Sequence, residues 1–141
     1  MSLTQDVNYF YYRMALEELR AMNQQNSFSS LSYNSNLYLN VIDQLEGCTL
    51  SRLAEALHIS RAAATLKVNE LEKQGAVVKQ QSEADKRVFY VKLTPPIRQV
   101  LDTYDVMMAR AEKTVAARYT KEQLVLFSEI LRTVAEQRWE N

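Results

Sequence analysis

Two glycines, two prolines and one cysteine are all the punctuation in 141 residues. So few breakers exclude a turn-rich β protein and favour long helices. The lone cysteine, Cys48, has no partner within the chain, which excludes a disulfide framework and suits a reducing cytoplasm. No run of about 18 apolar residues occurs, so no membrane-spanning helix is expected. The opening residues carry no basic segment followed by an apolar one, so no secretory signal is expected either. With a single histidine beside the single cysteine, a structural zinc site lacks its ligands. No phosphate-cradling glycine loop, carboxylate dyad or nucleophile–base pair stands out, so neither catalysis nor a cofactor is expected.

What is present is a chain with 47% hydrophobic residues, enough for a real core. Its length leaves room for one compact domain with extensions, not for two full domains. The net charge of zero speaks at first against a polyanionic partner, but distribution matters more than the total. Positions 50–94 hold eight cations against five anions, a net +3, so the flanks together carry −3. The middle third is where a polyanion is tolerated.

Apolar residues Val7, Phe10, Tyr11, Met14, Leu19 and Met22 recur at helical spacing and predict a long amphipathic helix over 5–23. Polar residues 23–30 read as a linker. A second helix is expected to present Leu37, Tyr38, Val41, Ile42 and Leu45 and to end near Gly47. Thr49 is placed to cap a short third helix whose face is Leu50, Leu53, Ala54 and Leu57. After the turn at His58-Ile59, Ser60 caps a fourth helix that runs to Gln74 and stops at Gly75. Two strands, 76–80 and 88–93, follow with a charged tip at 81–87. Pro95-Pro96 opens a fifth helix, and Thr120-Lys-Glu-Gln123 is a capping box for a sixth.

Two helices joined by a tight turn and followed by a hairpin form the arrangement of a winged helix-turn-helix. Ile59 is expected as the buried staple of the turn, and Ala64, Val68 and Leu71, at i, i+4 and i+7, as the core stripe of the fourth helix. The opposite face carries Ala62, Thr65, Leu66 and Asn69, with Ser60 and Arg61 at its N-terminal end. Small side chains there permit close approach to a major groove, Thr65 and Asn69 reach base edges, Leu66 meets a thymine methyl, and Arg61 meets a guanine or a phosphate. The same pattern also describes an ordinary solvated helix face. The hairpin tip, Asp85-Lys86-Arg87, tips the balance. A guanidinium on a β-ribbon suits the focused negative potential of a minor groove, and Asp85 is near enough to orient Arg87 by an ion pair. Backbone contacts are expected from Arg61, Thr65, Lys79 and Lys86, and readout from Ala62, Thr65, Leu66, Asn69 and Arg87.

With Leu53-Ala54, Ile59-Ser60-Arg61, Leu71-Glu72-Lys73-Gln74-Gly75, Asp85-Lys86-Arg87 and Val91-Lys92-Leu93-Thr94, the sequence resembles the MarR family of bacterial regulators. The likeness covers nearly the whole chain, helix order included. It implies a mostly α fold with a small β-hairpin wing, divided into an N-terminal dimerisation helix and linker (1–30), a DNA-binding winged segment (31–94) and C-terminal dimerisation helices (95–141). It further implies a cytoplasmic homodimer that binds duplex DNA at a pseudo-palindromic operator, represses neighbouring genes, and releases DNA on meeting a small phenolic or lipophilic effector or an oxidising signal. Two residues depart from the pattern. Leu66 stands where a polar or basic residue is usual. Lys67 stands where an apolar core residue is usual, so its stem is expected to snorkel.

Tyr9, Tyr11, Tyr12, Tyr33 and Tyr38 cluster in the first two helices and the linker. Tyr11, Tyr12, Tyr33 and Tyr38 are candidates for an effector pocket, which wants apolar bodies with polar tips; dimer-core aromatics are the other explanation. Cys48, with no flanking cation, reads as a small buried hydrophobe rather than a redox sensor. His58 reads as a turn residue. The weak net charge and Leu66 leave a second functional class open, a winged-helix module that binds protein and no DNA.

Overall fold

The computed structural model describes residues 2–24 and 31–138. Their elements are α1 (Leu3–Gln24), α2 (Tyr33–Gln44), α3 (Leu50–Leu57), α4 (Arg61–Lys73), β1 (Val77–Gln81), β2 (Phe89–Leu93), α5 (Pro95–Ala116) and α6 (Lys121–Ala135). Most of the predicted linker, 25–30, lies outside the described residues. The chain divides into two units, Met1–Thr94 and Pro95–Asn141.

Hydroxyl caps start four of the helices. The side chains of Ser32, Thr49, Ser60 and Thr120 accept from the backbone N–H of Ser35, Arg52, Ala63 and Gln123, satisfying donors that a helix start leaves orphaned. At Thr120 the bond is reciprocal, because Gln123 returns its side-chain oxygen to the Thr120 N–H at 2.9 Å. Helix α4 stops where Gly75 turns left-handed, at φ +76°. There the Gly75 and Ala76 N–H groups donate back to the carbonyls of Glu72 and Leu71 at 3.0 and 2.9 Å, a Schellman closure. Because the Ala76 N–H is spent on the helix, β1 begins at Val77 rather than at the predicted residue 76.

The turn between α3 and α4 is closed by the same device. His58 and Ile59 donate to Glu55 and Ala54 at 3.2 and 3.0 Å. Here His58, at φ 53°, occupies the left-handed position that glycine usually takes. Ile59 follows half-buried, less covered than a turn staple was expected to be.

The core of the first unit gathers from every element between 31 and 94. Leu53, Ala64, Val68 and Leu71 are wholly enclosed, with Leu39, Ile42, Val77 and Val91 nearly so. Each fully buried Leu or Val contributes about 1.5–3 kcal/mol. Helix α2 corrects one expectation. Its inward stripe is Ser35, Leu39 and Ile42, while Leu37 is exposed. Strands β1 and β2 pair antiparallel from Val77↔Leu93 to Gln81↔Phe89, so β2 starts one residue later than predicted. A third backbone segment joins the ribbon. Thr49 bridges Tyr90, and the Val91 N–H donates to the Cys48 carbonyl at 2.9 Å. The hairpin is therefore anchored at the start of α3, and Thr94 closes its base through a 2.7 Å bond to the Gly75 carbonyl.

In the second unit α5 opens on Pro95-Pro96, where a missing N–H costs nothing. Helices α5 and α6 carry exposed apolar residues, among them Met107, Met108, Leu126, Phe127 and Leu131.

Candidate nucleic-acid interface

Helix α4 turns the stripe Ala64, Val68 and Leu71 inward. Helical geometry then sends Ala62, Leu66 and Asn69 outward, where all three are exposed, Leu66 to 72%. Thr65 sits half-buried on the edge of this face. The Asn69 side-chain oxygen accepts from Lys79 Nζ at 2.5 Å. Lys79 also lies 3.8 Å from the Glu72 carboxylate and donates its backbone N–H to it at 3.1 Å. Lys79 thus ties β1 to the outer edge of α4.

At the hairpin tip Asp85 holds Arg87 through three bonds. Its Oδ1 accepts from the Arg87 backbone N–H at 3.0 Å and from Nε at 3.2 Å, and its Oδ2 accepts from Nη2 at 3.2 Å. The Arg87 side-chain bonds, and next its backbone N–H, hold the Asp85 carboxyl below its usual range. Despite this clamp the Arg87 side chain is 89% exposed. A fixed orientation and a solvated guanidinium coexist at one position. Lys86 is also exposed, and its carbonyl accepts from Gln81 Nε2 at 2.7 Å. The Ser82 hydroxyl accepts from the Asp85 N–H at 3.3 Å. Gln81 and Ser82 were not singled out in the sequence, although polar side chains flanking a charged tip are the usual turn formers.

Arg61, at the first turn of α4, has both terminal nitrogens engaged. Nη1 donates to Ser51 Oγ on α3 at 3.0 Å, and Nη2 donates to the Arg87 carbonyl at 2.9 Å. Ser51 is a further residue that the sequence did not flag.

Lys67 points the other way. Its side chain is only 13% exposed, and Nζ donates to the buried Ser35 hydroxyl at 3.0 Å. It also lies 3.3 Å from Glu70 and 5.3 Å from the centre of the Tyr38 ring. A lysine at a core position is satisfied by a serine at the facing core position, which explains the stripe of α2. Tyr33 is half-buried. Burial pushes its phenol up, with nearby Tyr11 and Glu18 adding to the effect. Tyr9, Tyr11 and Tyr12 are exposed on α1. The structure therefore brings Tyr11 to Tyr33 but puts Tyr38 against Lys67.

Cys48 is buried. Burial pushes its thiol up, and Arg52 offsets this only in part, so a cation does act on it although none is adjacent in sequence. Among the described residues no group of three or more His, Cys, Asp or Glu is placed to hold a metal ion. None of the described helices is long and apolar enough to cross a membrane.

Comparison with known proteins agrees with this geometry. The MarR family model matches residues 31–89. A putative transcriptional regulatory protein for the hcr operon of Thauera aromatica is 32% identical over 80 residues, 57% of this chain and 48% of that protein. The match thus spans about half the length of that relative. Among solved structures, Streptococcus pneumoniae FabT in complex with DNA superposes with a TM-score of 0.72 at 17% identity, covering 95% of this chain and 93% of that one. The adhesin competence repressor AdcR of Streptococcus pyogenes gives 0.62 at 22% identity, covering 96% and 97%. At these identities the structural likeness shows the fold, and the family match falls on the segment that forms the helix-turn-helix and wing. Residues 31–89 of this chain match the MarR family and fold as a winged helix-turn-helix.

Proposed function

We propose that the chain is a cytoplasmic DNA-binding transcriptional regulator. In this reading the outward face of α4 enters a major groove and Arg87 enters the adjacent minor groove. The observation that carries it is the clamped yet solvent-facing Arg87 beside an exposed helix face of small and amide side chains. A guanidinium held in one orientation has less rotamer freedom to lose on insertion. Ser60, Ala62, Thr65, Leu66 and Asn69 form the helix side of the interface, with Arg61 at its N-terminal edge, and Lys79, Lys86 and Arg87 the wing side. Lys86 is a phosphate contact, whereas Lys79 serves mainly by holding Asn69 and Glu72. The relative from Thauera aromatica, described as a transcriptional regulatory protein, and FabT, solved in complex with DNA, support this reading.

The active species is a homodimer that places two half-sites about 10 base pairs apart. Its dimerising parts are residues 1–30 and 95–141, which carry exposed apolar residues on α1, α5 and α6. Repression, relieved by a small phenolic or lipophilic effector near Tyr11, Tyr12, Tyr33 and Tyr38, completes the proposal; the Tyr11–Tyr33 pair supports it. A second reading, a winged module that binds protein and no DNA, draws on the zero net charge and on the exposure of Leu66.

A mobility shift with duplex selected from a random pool, repeated at two salt concentrations, separates the two. A DNA-binding protein loses affinity steeply as salt rises, because bound phosphates release counterions. A protein-binding module gives no shift at either salt.

A further inference from the structure

Among the described residues, Arg61 is the one cation that joins all three elements converging on the proposed interface. It stands at the first turn of α4, and its two terminal nitrogens reach Ser51 of α3 and the main chain of Arg87 in the wing. Cys48–Thr49 and Lys79 hold the base of the wing, but its tip needs a tie of its own. Beyond the last paired residues, Gln81 and Phe89, two backbone bonds hold the tip, from Ser82 to Val88 and from Val88 to Asp85. Two-stranded ribbons are marginal on their own. Asp85 sets the direction of the Arg87 side chain, but both sit on the same tip and move with it. Arg61 is what relates the Arg87 main chain to α3 and α4.

We propose that Arg61 is a positioning residue that sets the distance between α4 and the wing, and acts on DNA through Arg87 rather than by touching it. The planar fork of a guanidinium supplies two divergent donors, which a lysine ammonium on a flexible stem does not reproduce. A phosphate contact, by contrast, needs only a positive charge and tolerates lysine. The proposal rests on the reading that α4 and the wing bind DNA.

The test has two arms. In the free protein, hydrogen exchange at the Ser82 and Val88 amides is expected to speed up severalfold in both Arg61→Ala and Arg61→Lys. Unchanged exchange in both variants overturns the strut, whatever DNA does. In the second arm, DNA affinity is measured for Arg61→Ala, Arg87→Ala and the double variant across a salt series. Arg61→Ala is expected to weaken binding about tenfold alone and to add little once Arg87 is gone, the non-additivity of coupled residues. Equal losses in both backgrounds, with Arg61→Lys restoring affinity, would make Arg61 a direct phosphate contact and overturn the proposal. If the unaltered protein binds no duplex, the functional reading fails, and the exchange arm alone decides the strut.

Discussion

Residues 31–94 enclose most of a core of their own, whereas α1, α5 and α6 bury almost nothing. Leu53, Val68 and Leu71 have no exposed surface. By contrast α1 and α6 contain no buried residue and α5 contains only Ile97. All three flanking helices are amphipathic in sequence, and each carries exposed apolar residues. Phe10, Phe127 and Met108 each expose more than half of their surface. Exposed apolar area of this extent marks an interaction surface. The difference separates two kinds of helix, one completed by its neighbours in sequence and one whose apolar side chains stand exposed, as the proposed dimer requires.

The largest effect expected from this contrast falls in the enclosed core. Leu71→Ala removes a side chain with no exposed surface and is expected to cost about 2–5 kcal/mol. The denaturant midpoint measures it, and a loss near zero would mean that the segment is not the stable body described. In the flanking helices the readout changes from stability to mass. Phe127→Glu places a charge on an exposed site and is expected to leave circular dichroism unchanged while converting dimer to monomer in sedimentation. A dimer that persists would remove α6 from the proposed dimer surface.

Smaller effects lie at the wing and the turn. The Asp85 carboxyl is depressed by its bonds to Arg87, so the clamp is intact above the ordinary carboxylate range and is lost as pH falls through the depressed value. An NMR titration of the Arg87 side-chain and backbone N–H signals is expected to show this low-pH step, absent in Asp85→Asn. Smallest is His58→Gly. Relieving a left-handed non-glycine residue is offset by the greater freedom of glycine in the unfolded chain. A gain below about 1 kcal/mol in thermal stability is expected; a loss would show that the His58 side chain has a role of its own.

Local features of the fold were legible in the sequence because their physics is local. Ser60, Thr49 and Thr120 cap within three residues of themselves, Gly75 ends α4, and Ala64, Val68 and Leu71 share one face by spacing alone. What escaped is long in sequence. Lys67 meets Ser35 across 32 residues and Arg61 meets Arg87 across 26, and Cys48–Thr49 joins the ribbon from about 40 positions away. The stripe of α2 was misread for a related reason. Apolar residues lie around most of that helix, and the side chosen for the core contains Ser35, which a hydrophobicity rule discards. Only the lysine opposite makes a buried serine sensible. At the interface, the Asp85–Arg87 pair follows from two residues of separation, but the engagement of Arg61 and Lys79 by protein groups does not.

Hydroxyl-radical footprinting of a selected duplex reads minor-groove occupancy base by base, and so reports on the wing itself. Protected minor-groove tracts are expected to flank the α4 contacts and to be lost selectively in Arg87→Ala while the central protection persists. Identical footprints for the two proteins would contradict minor-groove insertion of Arg87.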